Sequence, residues 1–282
     1  MLFLLASLLA DPVISRDALR DHALKLINSD RLEQMLPPLE LDTDVSDIAD
    51  KRALDVLEGA PLDVPIYIWY SQNGTNDSIS ENLHAWTVSY PFTEHALREL
   101  IRRSQLSIMS DKPPHHGRRT TILDPLATHA AIGIAWNGHE FQMVQLILRR
   151  YVHWAAPLPR CATGNDLVHV SGWTLDDVVF DAIAVHHEPP PDAKRRTKKK
   201  TATMIVANHA LPKRRREYLP RLRSGYEYRA RGTGDVRTGK ADEFALDFPF
   251  TEGVGVYTVV VWVRFPSMAE PFAATMTSIL VE

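Results

Sequence analysis

Two apolar runs that flank an Asn-Gly pair constrain the fold of this chain more than any other feature. The runs cover residues 130–136 and 141–148, and Asn137-Gly138 lies between them. Asn-Gly is a preferred two-residue turn of β-hairpins because both residues tolerate positive φ angles. The sequence therefore predicts an antiparallel hairpin near the middle of the chain.

Helical periodicity precedes this hairpin. Ser15 is an N-cap residue type for a helix over residues 15–36, which Pro37 and Pro38 end. A second helix is predicted from about Asp44 to the Gly59 stop, and Thr93 caps a third. The residues predicted to face inward on the first helix are Leu19, Ala23, Leu26, Ile27 and Leu32. Residues 61–92 are rich in Pro, Gly, Asn and Ser, which predicts a long structured loop.

The helical period disappears after about residue 160. Short runs rich in β-branched and aromatic residues follow, separated by turn residues at regular intervals, as is typical of a β-sandwich. The run around Val256–Val263 is apolar on both faces, which indicates a central strand. Tyr257 stands where the corner tyrosine of an immunoglobulin-like sandwich bonds to nearby backbone. The whole chain is therefore predicted to be α+β.

The N-terminus and the composition limit the class of protein. Residues 1–12 are apolar up to Asp11, too few to span a bilayer, so the chain is not predicted to be transmembrane. This segment is interpreted either as a signal peptide or its remnant, or as the apolar first turn of a core helix. The single cysteine, Cys161, excludes an intramolecular disulfide, and the net charge of −3 favours no specific nucleic-acid partner.

The region from residue 15 to 150 carries a series of motifs in a characteristic order. They are Asn28, Arg31, Leu36-Pro37-Pro38-Leu39, Ala49, Ala53, Glu81-Asn82, Ile122-Leu123, Gly133 and Gln145. In this order they resemble the CAP superfamily, the SCP-like domains of cysteine-rich secretory proteins, antigen 5 and pathogenesis-related proteins. The resemblance implies an αβα sandwich over residues 13–158, followed by an immunoglobulin-like β-sandwich over 159–282. It also implies a cavity lined by two histidines and two glutamates, in which some members hold a divalent metal.

The chain departs from this cavity pattern. The first histidine is absent, because no histidine occurs between His22 and His84. Glu81 matches the first glutamate, and the second is either Glu94 or Glu99. Aligning Ile122-Leu123 places Arg118 and Arg119 on the family's His-Arg pair, with His116 two residues earlier. His116 substitutes for the second histidine only if the loop carries a two-residue insertion.

These matches give the candidate site residues. The predicted binding residues are Glu81, Asn82, His116, Arg118, Arg119, Trp69 and Trp86, and the candidates for catalysis are Glu81, His116 and Glu94. One histidine and one glutamate do not supply the three or four ligands of zinc, so no metal is expected, with zinc kept as an alternative. His129 and His139 either approach each other across the hairpin or are exposed strand residues. His84 is predicted to pack or hydrogen-bond beside Trp86.

Three functional hypotheses remain open. The first is a non-catalytic, secreted or cell-surface CAP protein that binds a small lipid, a peptide or a cell-surface polymer through its cleft and sandwich. The second is a metal-dependent, protease-like hydrolase that uses a degenerate cavity. The third is a polyanion-binding module that uses the basic runs 194–200 and 213–216, which are otherwise interpreted as a solvated loop.

Overall fold

The computed structural model describes residues 14–62, 64–175, 177–190, 205–210, 226–229, 236–239 and 242–282. The possible signal segment 1–12 and the basic runs 194–200 and 213–216 lie outside these ranges, so both remain predictions. Within the described ranges, every helix is too short or too polar to cross a membrane.

The chain forms two compact units. The first comprises Met1–Ala60, Glu81–Pro125 and Ala130–Leu146, and the second comprises Pro61–Ser80, Leu126–His129 and Ile147–Glu282. Residues 61–80 therefore belong to the second unit, although the predicted domain 13–158 includes them. The limits 13–158 for the CAP-like domain and 159–282 for the β-sandwich domain remain predictions.

The elements up to and including the hairpin are five helices and four strands among the described residues. They are α1 (Arg16–Glu33), β1 (Glu40–Leu41), α2 (Thr43–Leu57), α3 (Ile66–Gln72), β2 (Ser78–Thr87), α4 (Glu94–Met109), α5 (Gly117–Ile122), β3 (His129–Asn137) and β4 (Glu140–Arg149). The four strands form one sheet in the order β1-β3-β4-β2. The predicted hairpin is confirmed as β3 and β4, but its turn residues are Gly138 and His139, because Asn137 still belongs to β3.

Side-chain caps begin the three long helices. The Ser15 hydroxyl accepts from the Ala18 amide at 3.3 Å, and the Thr93 hydroxyl accepts from the Ala96 amide at 3.2 Å. Asp42 begins α2 in the same way, through the Val45 amide at 2.9 Å. Each cap satisfies an amide that has no partner within its helix, which is why the starts of α1 and α4 were predictable.

The prediction for residues 61–92 was wrong, because they contain α3 and β2. Helix α3 begins directly after Pro65 and has only seven residues, too few to establish a clear period. On β2 the fully buried residues are Asn82 and His84, so the side chains that alternate towards the interior are polar. A pattern search based on apolar residues therefore does not detect this strand.

Helix α2 covers part of the edge of β3. The Ile132 amide donates to the Ser46 hydroxyl at 3.0 Å, and the Ile134 amide donates to Asp50 Oδ1 at 2.6 Å. A Cβ at position 133 would collide with the backbone of Ala49, so the close approach of α2 to β3 requires glycine there. These contacts satisfy strand amides that the two-residue β1 does not reach.

The second unit consists mainly of strands. They are β5 (Val152–Trp154), β6 (Cys161–Ala162), β7 (Leu167–Thr174), β8 (Val179–Glu188), β9 (Ile205–Ala210), β10 (Tyr226–Arg229), β11 (Arg237–Thr238), β12 (Glu243–Pro249), β13 (Gly255–Arg264), β14 (Phe272–Ala273) and β15 (Thr277–Val281). One sheet has the order β11-β12-β7-β5. The other has the order β10-β9-β8-β13-β15-β6, with β14 paired to β13.

One hydrophobic core lies between these two sheets. It takes Val168 and Val170 from β7, Phe244 and Leu246 from β12, and the inward residues of β8, β13 and β15. The predicted central strand is confirmed, because β13 pairs with both β8 and β15. The α+β class is confirmed by the mixture of helices and sheets.

Tyr257 makes the predicted backbone contacts at the start of β13. Its hydroxyl donates to the Gly253 carbonyl at 3.0 Å and accepts from the Glu252 amide at 2.9 Å. The side chain is 3% exposed, so these two bonds satisfy a buried hydroxyl and fix the turn that enters the strand.

Candidate functional site

Strand β2, the segment after α4 and the start of α5 bring five polar residues together in the first unit. We call them the polar cluster, which consists of Asn82, His84, Asp111, His116 and Arg118. Asn82 and His84 alternate along β2 and are 1% and 7% exposed. The Asn82 amide nitrogen donates to the Arg118 carbonyl at 3.1 Å, which joins β2 to α5. The structure thus brings the predicted residues Asn82, His116 and Arg118 into one region.

Arg118 and Asp111 form the charged part of the cluster. Arg118 donates from Nε and Nη2 to the two carboxylate oxygens of Asp111, at 2.9 and 2.7 Å. This bidentate bond lowers the pKa of Asp111. The carboxylate is therefore ionised and paired at neutral pH.

His84 is the buried histidine of the cluster. Burial lowers the pKa of His84 from 6.5 to about 4, and the nearby Arg118 cation lowers it further, while Asp111 partly opposes the shift. The ring is therefore neutral at physiological pH. His116 lies at the N-cap position of α5, and it too interacts electrostatically with Asp111.

Three buried polar atoms of the cluster keep unused hydrogen-bonding capacity. They are His84 Nε2, His116 Nδ1 and Asn82 Oδ1, none of which has a hydrogen-bond partner among the described residues. Buried polar atoms are nearly always hydrogen-bonded in folded proteins, so this grouping is unusual. Such atoms can donate hydrogen bonds to a small polar group or accept them from it.

Glu81 takes part in a separate interaction. Arg52 Nε on α2 lies 3.3 Å from Glu81 Oε2, and the two side chains are 2% and 6% exposed. The alternation of β2 directs Glu81 to the opposite side of the strand from Asn82 and His84. The structure therefore does not join Glu81 to the polar cluster.

The two glutamates of α4 lie at its exposed surface. Glu94 accepts from Arg98 at 2.8 Å, one helical turn along. Glu99 accepts from Arg102 and Arg103, at 2.8 and 2.9 Å, and these bonds lower the pKa of Glu99 to about 2. Both carboxylates are thus engaged in surface ion pairs of their own helix.

The remaining predicted residues are distributed over both units. Arg119 is half-buried on α5, and the Trp86 indole donates to the Ser104 hydroxyl at 2.8 Å in the first unit. Trp69 belongs to α3 in the second unit, where its ring packs edge-on against Tyr70 with centroids 4.9 Å apart.

The approach of two histidines across the hairpin was a wrong alternative. His129 begins β3, whereas His139 lies in the exposed turn at the other end of that strand. The register of a hairpin keeps such positions apart.

Sequence reasoning missed Arg52 and Asp111 and gave His84 a minor role. Arg52 had a usable signal, because it stands between Ala49 and Ala53 on the apolar stripe of α2. A charged residue at such a position implies a buried partner. Asp111 had none, since only the fold brings it against Arg118, seven residues later.

Several motif residues have structural roles in the first unit. Asn28 donates to and accepts from the backbone of Leu39, at 2.9 and 2.8 Å. Arg31 donates to the carbonyls of Pro37, Ile122 and Asp124 at 2.7–2.9 Å. These bonds fix the Pro-rich turn and the end of α5, which explains why these residue types occur at these positions.

Gln145 extends this buried framework. Its amide donates to Gln105 Oε1 at 2.9 Å, and Gln105 in turn donates to Asp30 Oδ2 at 2.6 Å. Gln145 and Gln105 are 1% and 3% exposed, so the chain of bonds links β4, α4 and α1 through the interior.

The residues present do not fit the zinc site that the resemblance implies for some family members. Zinc requires three or four protein ligands in tetrahedral arrangement. Among the described residues, no group of three or more His, Cys, Asp or Glu side chains could hold a metal ion. Glu81 is ion-paired with Arg52, and Asp111 with Arg118, so both nearby carboxylates are already neutralised.

No family model matches the chain, and no curated protein matches its sequence. Among solved structures, the chain is similar to an extracellular protein containing an SCP domain from Bacillus anthracis str. Ames, with 17% identity and a TM-score of 0.34. It is also similar to a cysteine-rich secretory protein from Staphylococcus aureus subsp. aureus Mu50, with 16% identity and a TM-score of 0.36. The alignments cover 48% and 49% of this chain and 41% of each structure, so the chain spans less than half of either.

Proposed function

We propose that the chain is a divergent CAP protein that acts outside the cell as a non-catalytic binding protein. The family assignment rests on motif residues that hold the first unit together, above all Asn28, Arg31, Gly133 and Gln145. The location outside the cell follows from the resemblance to secreted proteins. In this proposal the second unit is an immunoglobulin-like sandwich, as the Tyr257 contacts favour.

The pairing of the carboxylates is the observation that carries the non-catalytic part. A hydrolase of the predicted kind needs a carboxylate near His116 that can ligate a metal or accept a proton. Arg52 is bonded to Glu81, and Arg118 is bonded to Asp111 through both oxygens. A guanidinium is always protonated, so neither arginine loses its charge over the physiological pH range.

The three buried polar atoms of the cluster that lack hydrogen-bond partners support binding of a neutral hydrogen-bonding group. His84 is neutral at physiological pH, and Asn82 is an uncharged amide, so a charged ligand gains little from them. A peptide amide or the hydroxyl of a small lipid has the matching chemistry. A lipid or peptide ligand is therefore the proposed class for this site.

Zinc titration by calorimetry tests the non-catalytic proposal. We expect neither the intact chain nor His116→Ala to show micromolar binding. The matched control is His95→Ala, which removes an exposed histidine on α4. Tight binding that is lost in His116→Ala and kept in His95→Ala would contradict the proposal and favour the hydrolase.

The polyanion hypothesis concerns residues 194–200 and 213–216, outside the described ranges, and it stays a second candidate. Its mark is an affinity for heparin that falls steeply with salt, because bound counterions are released. Replacement of the basic residues in 194–200 by serine would then abolish that affinity.

A further inference from the structure

The solvent face of the sheet β11-β12-β7-β5 has an unusual composition. On β7 the buried residues alternate with outward ones, and the same holds for β12. The strand register places Trp173 beside Glu243, Ser171 beside Ala245, and His169 beside Asp247. An aromatic side chain, two small residues and a charged group thus follow one another along the face.

The small residues leave a groove in this face. Its volume is about 420 Å³, and Ser171 and Ala245 lie along its floor, with Trp173, Arg237 and Glu243 around it. Sites for small ligands have volumes of about 300–1,000 Å³. The groove therefore has room for one or two sugar rings.

Trp173 forms one end of the groove. It is 40% exposed, and its ring stacks on His153 of β5 with centroids 4.2 Å apart and planes 28° from parallel. Trp173 pairs with Glu243 on β12 and with His153 on β5, the two strands that flank β7. The His153 ring therefore holds the indole in place from the side of β5. A large apolar surface held in place binds a partner with little loss of side-chain entropy.

Arg237, which lines the groove, belongs to a bonded triad with Asp247 and His169 farther along the same face. Asp247 Oδ2 accepts from Arg237 Nη2 at 2.9 Å, and Asp247 Oδ1 lies 2.6 Å from His169 Nδ1. The guanidinium has five donors in a rigid fork, so the bond to Asp247 orients it and leaves others for a ligand.

Glu243 provides an acceptor beside the indole. Gly239 lies against it, and a Cβ at position 239 would collide with the carboxylate. The Gly239 amide also donates to the Glu243 carbonyl at 3.0 Å. The groove thus presents the Glu243 carboxylate near Trp173 and the Arg237 guanidinium bonded to Asp247, so two carboxylates stand against one guanidinium.

We propose that this groove binds a neutral saccharide, with one sugar ring on Trp173 and hydroxyl groups bonded to Glu243 and Arg237. A sugar ring has an apolar face of C–H groups and an edge of hydroxyls that both donate and accept. An aromatic face next to a carboxylate and a guanidinium matches both properties. The excess of carboxylates, Glu243 and Asp247 against Arg237, disfavours a polyanion at this surface. The proposal goes beyond the proposed function, because it uses none of the residues of the polar cluster.

Calorimetry with neutral oligosaccharides tests this site in the full chain. The probes are cellohexaose, fully N-acetylated chitohexaose and mannohexaose, and heparin is the charged comparison. We expect binding of at least one neutral probe, weakened about tenfold or more in Trp173→Ala and in Arg237→Ala. Tyr90→Ala is the matched control, because Tyr90 is 42% exposed in the first unit, and it should bind like the intact chain.

A second variant separates loss of the site from loss of folding. Ser171→Arg keeps the aromatic residue and fills the floor of the groove, so it should also abolish binding while the melting temperature stays near that of the intact chain. The proposal is overturned if none of the neutral probes binds with a dissociation constant of about 10 mM or tighter. Unchanged binding in Trp173→Ala and Ser171→Arg would overturn it as well, as would binding of heparin alone.

Discussion

Acidification should weaken the first unit through His84. In the folded protein the pKa of His84 is lowered from 6.5 to about 4, so the unfolded chain binds this proton more readily than the folded one. Stability from this group is therefore complete above pH 6.5 and is lost as the pH falls towards 4. The full effect is roughly 3 kcal/mol, and about 2 kcal/mol of it falls between pH 7 and pH 5.

Urea unfolding at pH 7, 6 and 5 measures this effect in three proteins. They are the intact chain, His84→Gln and the control His95→Gln. Between pH 7 and pH 5, the intact chain and the control should lose about 2 kcal/mol more unfolding free energy than His84→Gln. The carboxyls of Asp30 and Asp50, whose pKa values burial raises, titrate in all three proteins and cancel in this comparison.

NMR titration of the histidine rings in the folded protein measures the pKa of His84 directly. The ring of His84 should keep its neutral chemical shift down to about pH 5. Equal losses of stability in all three proteins, together with a ring that titrates near pH 6.5, would refute the burial argument.

Two further predictions concern packing in the first unit. Gly133→Ala forces a methyl group into the backbone of Ala49 and should lower the free energy of unfolding in urea by about 3 kcal/mol or more. The control Gly138→Ala places its methyl group in open space and should lower it by less than about 1 kcal/mol. Similar losses in the two variants would mean that the contact with Ala49 relaxes freely. Arg52→Met and Glu81→Gln should each destabilise the fold by about 3–5 kcal/mol, because each leaves its buried partner uncompensated. The double variant should recover at least half of that loss in the same assay, and simple additivity would show that the two side chains do not act as a pair.

The hairpin and the helix starts were predictable because their signals are local. Asn137-Gly138 predicts a hairpin turn, which forms one residue later at Gly138-His139, and Ser15 and Thr93 cap helices through amides only three residues away. Such interactions need no knowledge of the rest of the fold. The alternation of the later strands is equally local, and it led to the correct central position of β13.

Burial was less predictable where a polar residue is inside. Leu32 was expected to face inward but is 74% exposed, while the neighbouring Arg31 is 0% exposed. Arg31 is buried because three backbone carbonyls, two of them about ninety residues away, accept its hydrogen bonds. Hydropathy alone cannot anticipate such partners, since burial of a charged group depends on what it meets.

The sequence by itself determined the α+β class, the hairpin, the helix caps and the motif order that resembles the CAP proteins. Only the tertiary structure decided which of the candidate site residues act together. It separated Glu81 from His116 by placing Arg52 against the glutamate, and it joined His84 to Asp111 and Arg118. It also set Trp173 and Arg237 around one groove. These are contacts between residues far apart in the chain, and their energies depend on distance and burial, which the order of residues does not contain.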